Sequence, residues 1–257
     1  MAHVFVTGSS TGLGLMAGQL LVEQGHRVVL HARNQVRAET SRRALPETAD
    51  VVVGDLSSIA GARSVAEQAN RLGPFNTVIH NAGIGSRERT LSETEDGVPF
   101  VFAVNVLAPY ILTGLIEKPD RLVYLSSGMH RSASAHLDDL AWRKRRWESA
   151  QAYAESKLHD VLLAFGVARR WPEVLSNALE PGWVATRMGG PSAPDDIDQA
   201  HRTQVWLAVS DDPAARVTGK YFYHMQPRTP NPETSRPDLQ DELIAACGKL
   251  SGIALRP

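Results

Sequence analysis

A single cysteine, Cys247, leaves this chain nothing to pair with internally, so a disulfide framework is excluded and a reducing compartment is expected. An excess of charge of either sign is also missing. Lys and Arg number 27 against 28 Asp and Glu, a net charge of −1. That balance builds no broad field for nucleic acid or an acidic membrane surface, and neither is expected as a partner. Runs of about 18 consecutive apolar residues are absent. Met1–Val6 enters a strand-like segment directly, without the charged and then apolar stretch of a leader. The expectation is a soluble, cytoplasmic protein with no membrane span. There is no internal repeat, low-complexity tract or linker to suggest a second domain, and no metal is called for.

What is present is a chain of 257 residues, 43% of them hydrophobic, enough for one large α/β domain over 1–257. His3–Val6 reads as a buried strand, followed by a glycine-rich turn, Thr7-Gly8-Ser9-Ser10-Thr11-Gly12-Leu13-Gly14. A helix is expected over Gly12–Glu23 with Gly25 as its left-handed cap, then a strand from Arg27 to Leu30. This is a βαβ unit with parallel strands and a right-handed crossover. Inside it, Gly12-x-Gly14-x-x-Ala17 fits the dinucleotide pattern, in which glycines let backbone N–H groups approach a pyrophosphate at a helix N-terminus. The bland alternative is a tight turn with no ligand.

The second strand ends Leu30-His31-Ala32-Arg33-Asn34, with no acid and one arginine. A carboxylate there would bind the ribose 2′-hydroxyl of NAD, and an arginine would accommodate the 2′-phosphate of NADP. NADP(H) is therefore the expected cofactor, with NAD(H) possible and a merely solvated Arg33 the alternative. The alternation continues. Strands are expected at Val51–Val53 (running into Gly54-Asp55-Leu56), Thr77–His80 (into Asn81-Ala82-Gly83), Arg121–Leu125 (into Ser126-Ser127-Gly128), Leu175–Leu179 (into Glu180-Pro181-Gly182) and Lys220–Tyr223. Helices are expected over Ser58–Leu72, Phe100–Leu115 and Tyr153–Arg170. The fold class is a Rossmann-type, doubly wound parallel sheet of about seven strands with helices on both faces.

Tyr153-Ala154-Glu155-Ser156-Lys157 places a phenol and an ammonium one turn apart on one helix face. A free phenol has a pKa of about 10, and a nearby cation favours the phenolate, moving the hydroxyl toward the range of a general acid or base. Alone, the spacing carries little. Ligands in open α/β sheets bind beyond the carboxyl ends of strands, however, and Gly8–Gly14, Arg33, Asp55, Asn81, Ser127 and Pro181 all fall there.

Together, Thr7-Gly8-x-x-x-Gly12-x-Gly14, Asp55, Asn81-Ala82-Gly83, Asn105, Ser126-Ser127, Tyr153-x-x-x-Lys157 and Pro181-Gly182-x-x-x-Thr186 make the chain resemble the short-chain dehydrogenase/reductase family, in its compact subgroup. The tail from Thr218 to Gly252 is more loosely similar to retinol-dehydrogenase-like members. The resemblance implies an oxidoreductase that moves hydride between a nicotinamide and a carbonyl or alcohol. In it Tyr153 acts as general acid/base, Lys157 binds the nicotinamide ribose and tunes the phenol, and Ser127 donates to the substrate oxygen. Asn105 holds a water that links Lys157 to solvent. Cofactor contacts are implied for Gly8, Ser10, Thr11, Gly12, Leu13, Gly14, Arg33, Asn34, Asp55, Leu56, Asn81, Ala82, Gly83, Tyr153, Lys157, Pro181, Gly182, Val184 and Thr186. Family members often pair through the helices bearing Asn105 and Tyr153, so a homo-oligomer is possible.

Two departures stand out. His80 replaces a common asparagine and is read as a core or loop histidine with satisfied hydrogen bonds, with no catalytic role. Ser127 and Tyr153 also lie farther apart than usual, and the inserted stretch carries Trp142-Arg143-Lys144-Arg145-Arg146-Trp147. It reads as a solvated basic helix face with two packed tryptophans, or as an insertion that borders the substrate mouth or alters subunit contacts. Residues 187–209 are expected to form a substrate lid, with a helix over Ile197–Leu207. Apolar Met129 and Trp183 suggest a moderately hydrophobic substrate. Two competing readings are a dinucleotide-sensing protein without chemistry and a sugar-nucleotide epimerase or dehydratase.

Overall fold

The computed structural model describes residues 1–46, 50–86 and 90–255. Its eight-stranded sheet has the order β3-β2-β1-β4-β5-β6-β7-β8. The strands are β1 (His3–Val6), β2 (Arg27–Ala32), β3 (Val51–Val53), β4 (Thr77–His80), β5 (Arg121–Leu125), β6 (Leu175–Leu179), β7 (Tyr221–Tyr223) and β8 (Gln226–Pro227). The first seven are parallel, and β8 closes the edge antiparallel, Phe222 opposite Pro227. This eighth strand goes beyond the expected seven. Two exposed residues carry no alternation by which a strand could be read.

Both sheet faces are covered, so the central strands are buried along almost their whole length, and their apolar residues feed opposite cores in alternation. Phe5, Val29, Val78, Leu122, Tyr124, Ala178 and Tyr221 face one side. There they meet α3 (Ile59–Leu72), α5 (Ala108–Leu115), α6 (Ser149–Arg170) and α9 (Pro237–Ser251). Val4, Val6, Leu30, Ile79, Val123, Leu179 and Phe222 face the other, against α1 (Gly12–Glu23) and α8 (Arg202–Val209). α1 has the predicted bounds, and Gly25 lies just past its end at φ +80°. α2 (Gln35–Ala44) is capped by Asn34, whose Oδ1 accepts the Arg37 N–H at 3.0 Å.

Three expected elements differ in detail. The helix over Phe100–Leu115 is α4 (Phe100–Phe102), a π-helical stretch Ala103–Leu107 and then α5, so a register shift sits at Asn105. α6 starts at Ser149, which puts Tyr153 inside its second turn rather than at its opening. The Ile197–Leu207 helix breaks at His201 into α7 (Ile197–Ala200) and α8. α8 lies on the sheet, where the Ala208 carbonyl accepts from Thr77 Oγ1 at 2.7 Å and the Leu207 carbonyl from Arg121 Nη1 at 3.2 Å. The end of the expected 187–209 lid that α8 forms is therefore core, because Val205, Leu207 and Ala208 are apolar and buried.

Candidate active site

The loop after β1 is held in place by side chains from two other strand ends. Gly8 has φ +62°, and a Cβ there would stand 2.7 Å from Ala82 Cα. Asn81 Nδ2 donates to the carbonyls of Thr7 at 2.9 Å and Gly8 at 3.2 Å. Thr7 Oγ1 accepts the Ala82 N–H at 3.0 Å. On the other side, His31 Nδ1 accepts the Gly8 N–H at 2.9 Å while its Nε2–H donates to the Gly54 carbonyl at 2.9 Å. An amide can only donate and a carbonyl only accept, so these partners define the neutral tautomer. Burial holds His31 in that form, pushing its pKa down to about 4. The role of His31 was missed in the sequence, where it reads as one polar interruption at a strand end.

The remaining cofactor candidates divide by exposure. Thr11 at the start of α1 makes no side-chain capping bond, and a Cβ at Gly12 would meet nothing within 4 Å. Among the described residues, the first-turn N–H groups thus receive no side-chain cap from Thr11. Arg33 and Asn34 are exposed beyond β2, with Asn34 engaged as the cap of α2. Asp55 is exposed beyond β3, where its Oδ1 accepts the Ser57 N–H at 2.9 Å. Leu56 is in the core at 5% exposure, so its side chain is not turned to a ligand.

A cavity of about 1170 Å³ opens beyond β5 and β6. Ser127 and Tyr153 line one side; Pro181, Gly182, Val184 and Thr186 line another, with Leu13 from α1. Ser126 Oγ donates to the Lys157 carbonyl at 2.7 Å and so serves the helix, whereas Ser127 Oγ accepts only a long 3.4 Å bond from the Met129 N–H. Thr186 Oγ1 accepts the Gly189 N–H at 3.1 Å and shapes the turn that brings Met188 over Tyr153, with Sδ 3.9 Å from the phenol oxygen. Met129, Trp183 and Met188 leave apolar surface exposed around the opening. Sequence reasoning did not find the Arg131–Glu180 ion pair on the cavity wall, which joins residues 49 positions apart.

Lys157 and Asn105 lie behind this wall rather than on it. Lys157 Nζ is 6.0 Å from the Tyr153 ring centroid and donates to the Leu125 carbonyl at 2.7 Å and Asp160 Oδ2 at 2.8 Å. At the π-helical turn, Asn105 Oδ1 accepts the Ile84 N–H at 2.8 Å. Its Nδ2 donates to the Ile84 carbonyl at 3.1 Å and to Ser156 Oγ at 2.9 Å. His80 is buried in the core, its Nε2 3.1 Å from Thr113 Oγ1, and burial pushes its pKa down to about 3. Its Nδ1 has no partner among the described residues, so the histidine is only half satisfied.

The inserted stretch forms two 3-10 turns, Gly128–Ser132 and Leu137–Asp139, and no basic helix. Arg145 lies 4.1 Å over the Trp142 ring, forms a two-pronged bond with Glu155 at 2.7 and 3.1 Å, and reaches Asp139 Oδ2 at 3.1 Å. The basic run is thus partly neutralised by two buried carboxylates, and Trp142 packs with Val101, Ala152 and the partly buried Tyr153.

Comparison with known proteins gives a consistent picture. The family model described as short chain dehydrogenase matches residues 2–119. The chain is 43% identical to "Uncharacterized oxidoreductase AN7799" of Emericella nidulans and 41% to "Short-chain dehydrogenase chyC" of Penicillium rubens, each over 99% of both chains. It is 30% identical to human "Retinol dehydrogenase 13", over 97% of this chain and 84% of the relative. Among solved structures, an uncharacterized protein from Mycobacterium Paratuberculosis superimposes with a TM-score of 0.86 at 24% identity, covering 100% of this chain and 96% of the other. A blue fluorescent protein from a metagenomic library, in complex with NADPH, gives 0.70 at 21% identity over 86% and 95%. These two likenesses concern the fold.

Proposed function

This chain belongs to the short-chain dehydrogenase family of NAD(P)-dependent oxidoreductases, and from that premise we propose that it is an NADP(H)-dependent reductase of a moderately hydrophobic ketone or aldehyde, with Tyr153 as its general acid/base. One observation carries the reading: the Tyr153 phenol and the Ser127 hydroxyl share a cavity with the Pro181–Thr186 turn, beyond the carboxyl ends of the central strands.

The chain's own features fit a dinucleotide. Open space over Gly12 and uncapped N–H groups at the start of α1 suit a pyrophosphate, and the positive-φ glycines let it approach the backbone. Arg33, exposed where β2 ends without a carboxylate, suits the 2′-phosphate of NADP. A nicotinamide held there would supply the hydride in reduction and accept it in oxidation. Tyr153 gives its phenol proton to the carbonyl oxygen in reduction and takes it back from the alcohol in oxidation. Ser127 Oγ donates to the same oxygen and stabilises the charge that grows on it. Lys157 holds a positive charge behind the phenol, stabilising the phenolate left when the proton has gone. Residues 187–196, with Met188 over Tyr153, form the part of the proposed lid that meets the substrate, and the apolar rim selects against strongly polar carbonyl compounds.

The test is NADPH consumption with a panel of ketones and aldehydes, by wild type and by Tyr153→Phe. Turnover should fall by about 10²- to 10⁴-fold in the variant while NADPH binding changes by less than about twofold. Equal turnover would remove Tyr153 from the chemistry.

A further inference from the structure

Lys157 is a charged group in a dry place. Its side chain is 5% exposed, its Nζ donates to the Leu125 carbonyl at 2.7 Å, and its second bond, at 2.8 Å, goes to Asp160 Oδ2, on a side chain only 3% exposed. Both belong to α6, so the tyrosine, the lysine and the aspartate follow one another along the same helical face at spacings of four and three. The titratable groups facing Asp160 are Lys157 from its own helix and Tyr124 from β5. Behind Tyr124 stand Thr113 of α5, 2.8 Å from its hydroxyl, and the neutral His80 of β4.

We propose that Asp160 is a positioning residue for the reaction, holding Lys157 both protonated and aimed, so that the cation behind Tyr153 depends on a carboxylate one turn farther along α6. An ammonium taken out of water gives up its proton readily, and buried lysines titrate several units low unless a counter-charge is supplied. Burial pulls Lys157 in that direction; the charge of Asp160, then that of Tyr153 and then the hydrogen bond to Asp160 together more than reverse it, raising Lys157 above its ordinary value. Burial in turn pushes Asp160 up to about 6, even with the lysine beside it. The pair therefore exists as two ions above that pH and loses its negative member below it. Asp160 touches neither the cavity nor the phenol and works only through Lys157.

This inference rests on the function proposed above, and the experiment separates the two. Asp160→Asn keeps the shape and an acceptor oxygen and removes the charge. In protein with isotope-labelled lysines, the Lys157 signal, identified by its absence from Lys157→Arg, should titrate at least about one pH unit lower in Asp160→Asn. That measurement needs no turnover. In carbonyl reduction the high-pH limb of kcat should move down by about the same amount, with KM for the carbonyl changed less than about twofold. A lowered melting temperature with superimposable limbs would reduce Asp160 to a structural residue and overturn the proposal. Should Asp160→Asn fail to fold, wild type suffices: the Lys157 signal must step together with an aspartate carboxyl titrating near pH 6, and a flat Lys157 signal there would overturn the proposal. A wild type whose lysine titrations behave as expected, but which reduces no carbonyl, would instead sink the proposed function.

Discussion

Gly14→Ala tests the architecture of the site through a single methyl group. A Cβ at Gly14 would stand 2.4 Å from Asn81 Nδ2, 2.7 Å from the Gly8 carbonyl oxygen and 2.9 Å from Ser9 Cα. Ordinary carbon contacts need about 3.5 Å, so all three must give by more than half an ångström. Two of them are backbone atoms of the loop, and the third is the amide that ties that loop to β4. Its two hydrogen bonds are worth about 0.5–1.5 kcal/mol each, and overpacking a tight site costs about 1–3 kcal/mol more. Replacing a helical glycine by alanine returns up to about 1 kcal/mol. The net loss should be about 2–4 kcal/mol, a fall in Tm of roughly 5–15 °C for a chain of this size. Affinity for NADPH should drop about tenfold or more as the Gly8 carbonyl and its loop are displaced. Scanning calorimetry and fluorescence titration read the two effects. In a double-mutant cycle, Gly14→Ala and Asn81→Ala should be coupled by about 1 kcal/mol, because the second truncation removes the closest of the three clashes. A variant that melts within about 2 °C of wild type and binds NADPH equally well would refute the argument.

Arg33→Asp should lower the ratio of kcat/KM for NADPH over NADH by roughly 10- to 100-fold, the worth of one charge-assisted bond, and an unchanged ratio would show that the 2′-phosphate is held elsewhere. Arg145→Ala should leave Asp139 and Glu155, each 4% exposed, without their shared cation. Breaking a buried pair costs about 3–5 kcal/mol, and because Arg145 itself is 25% exposed the expected loss is the smaller figure of about 2–3 kcal/mol, read by denaturant unfolding.

Much of the architecture was legible in the order of residues. Short apolar runs, most of them with β-branched residues and each ending in a turn of small or polar residues, read as strands buried on both faces, and α1 and β3 to β6 have the expected bounds. The edge strand β8, the break at His201 and the π-helical turn at Asn105 left no such mark. The π-helical turn answers to bonds from Asn105 to Ile84 and Ser156, and β8 to a two-residue turn in which His224 and Met225 take positive φ, residues not expected there.

The same division runs through the site. The sequence by itself determined that a glycine turn opens α1 and that Ser127 and Pro181 lie just beyond the ends of their strands. It also determined that Tyr153 and Lys157 share one helical face. All of these follow from short-range geometry. Tertiary structure alone decided that Asn81 would stitch a loop 73 residues away and that His31 would be a neutral clamp between Gly8 and Gly54. It decided, too, that Lys157 and Asp160, three residues apart in plain view, would meet out of contact with water. Spacing says which groups can touch; only the packing around them says whether water is excluded, and that exclusion is what turns a routine helix pair into a strongly coupled one.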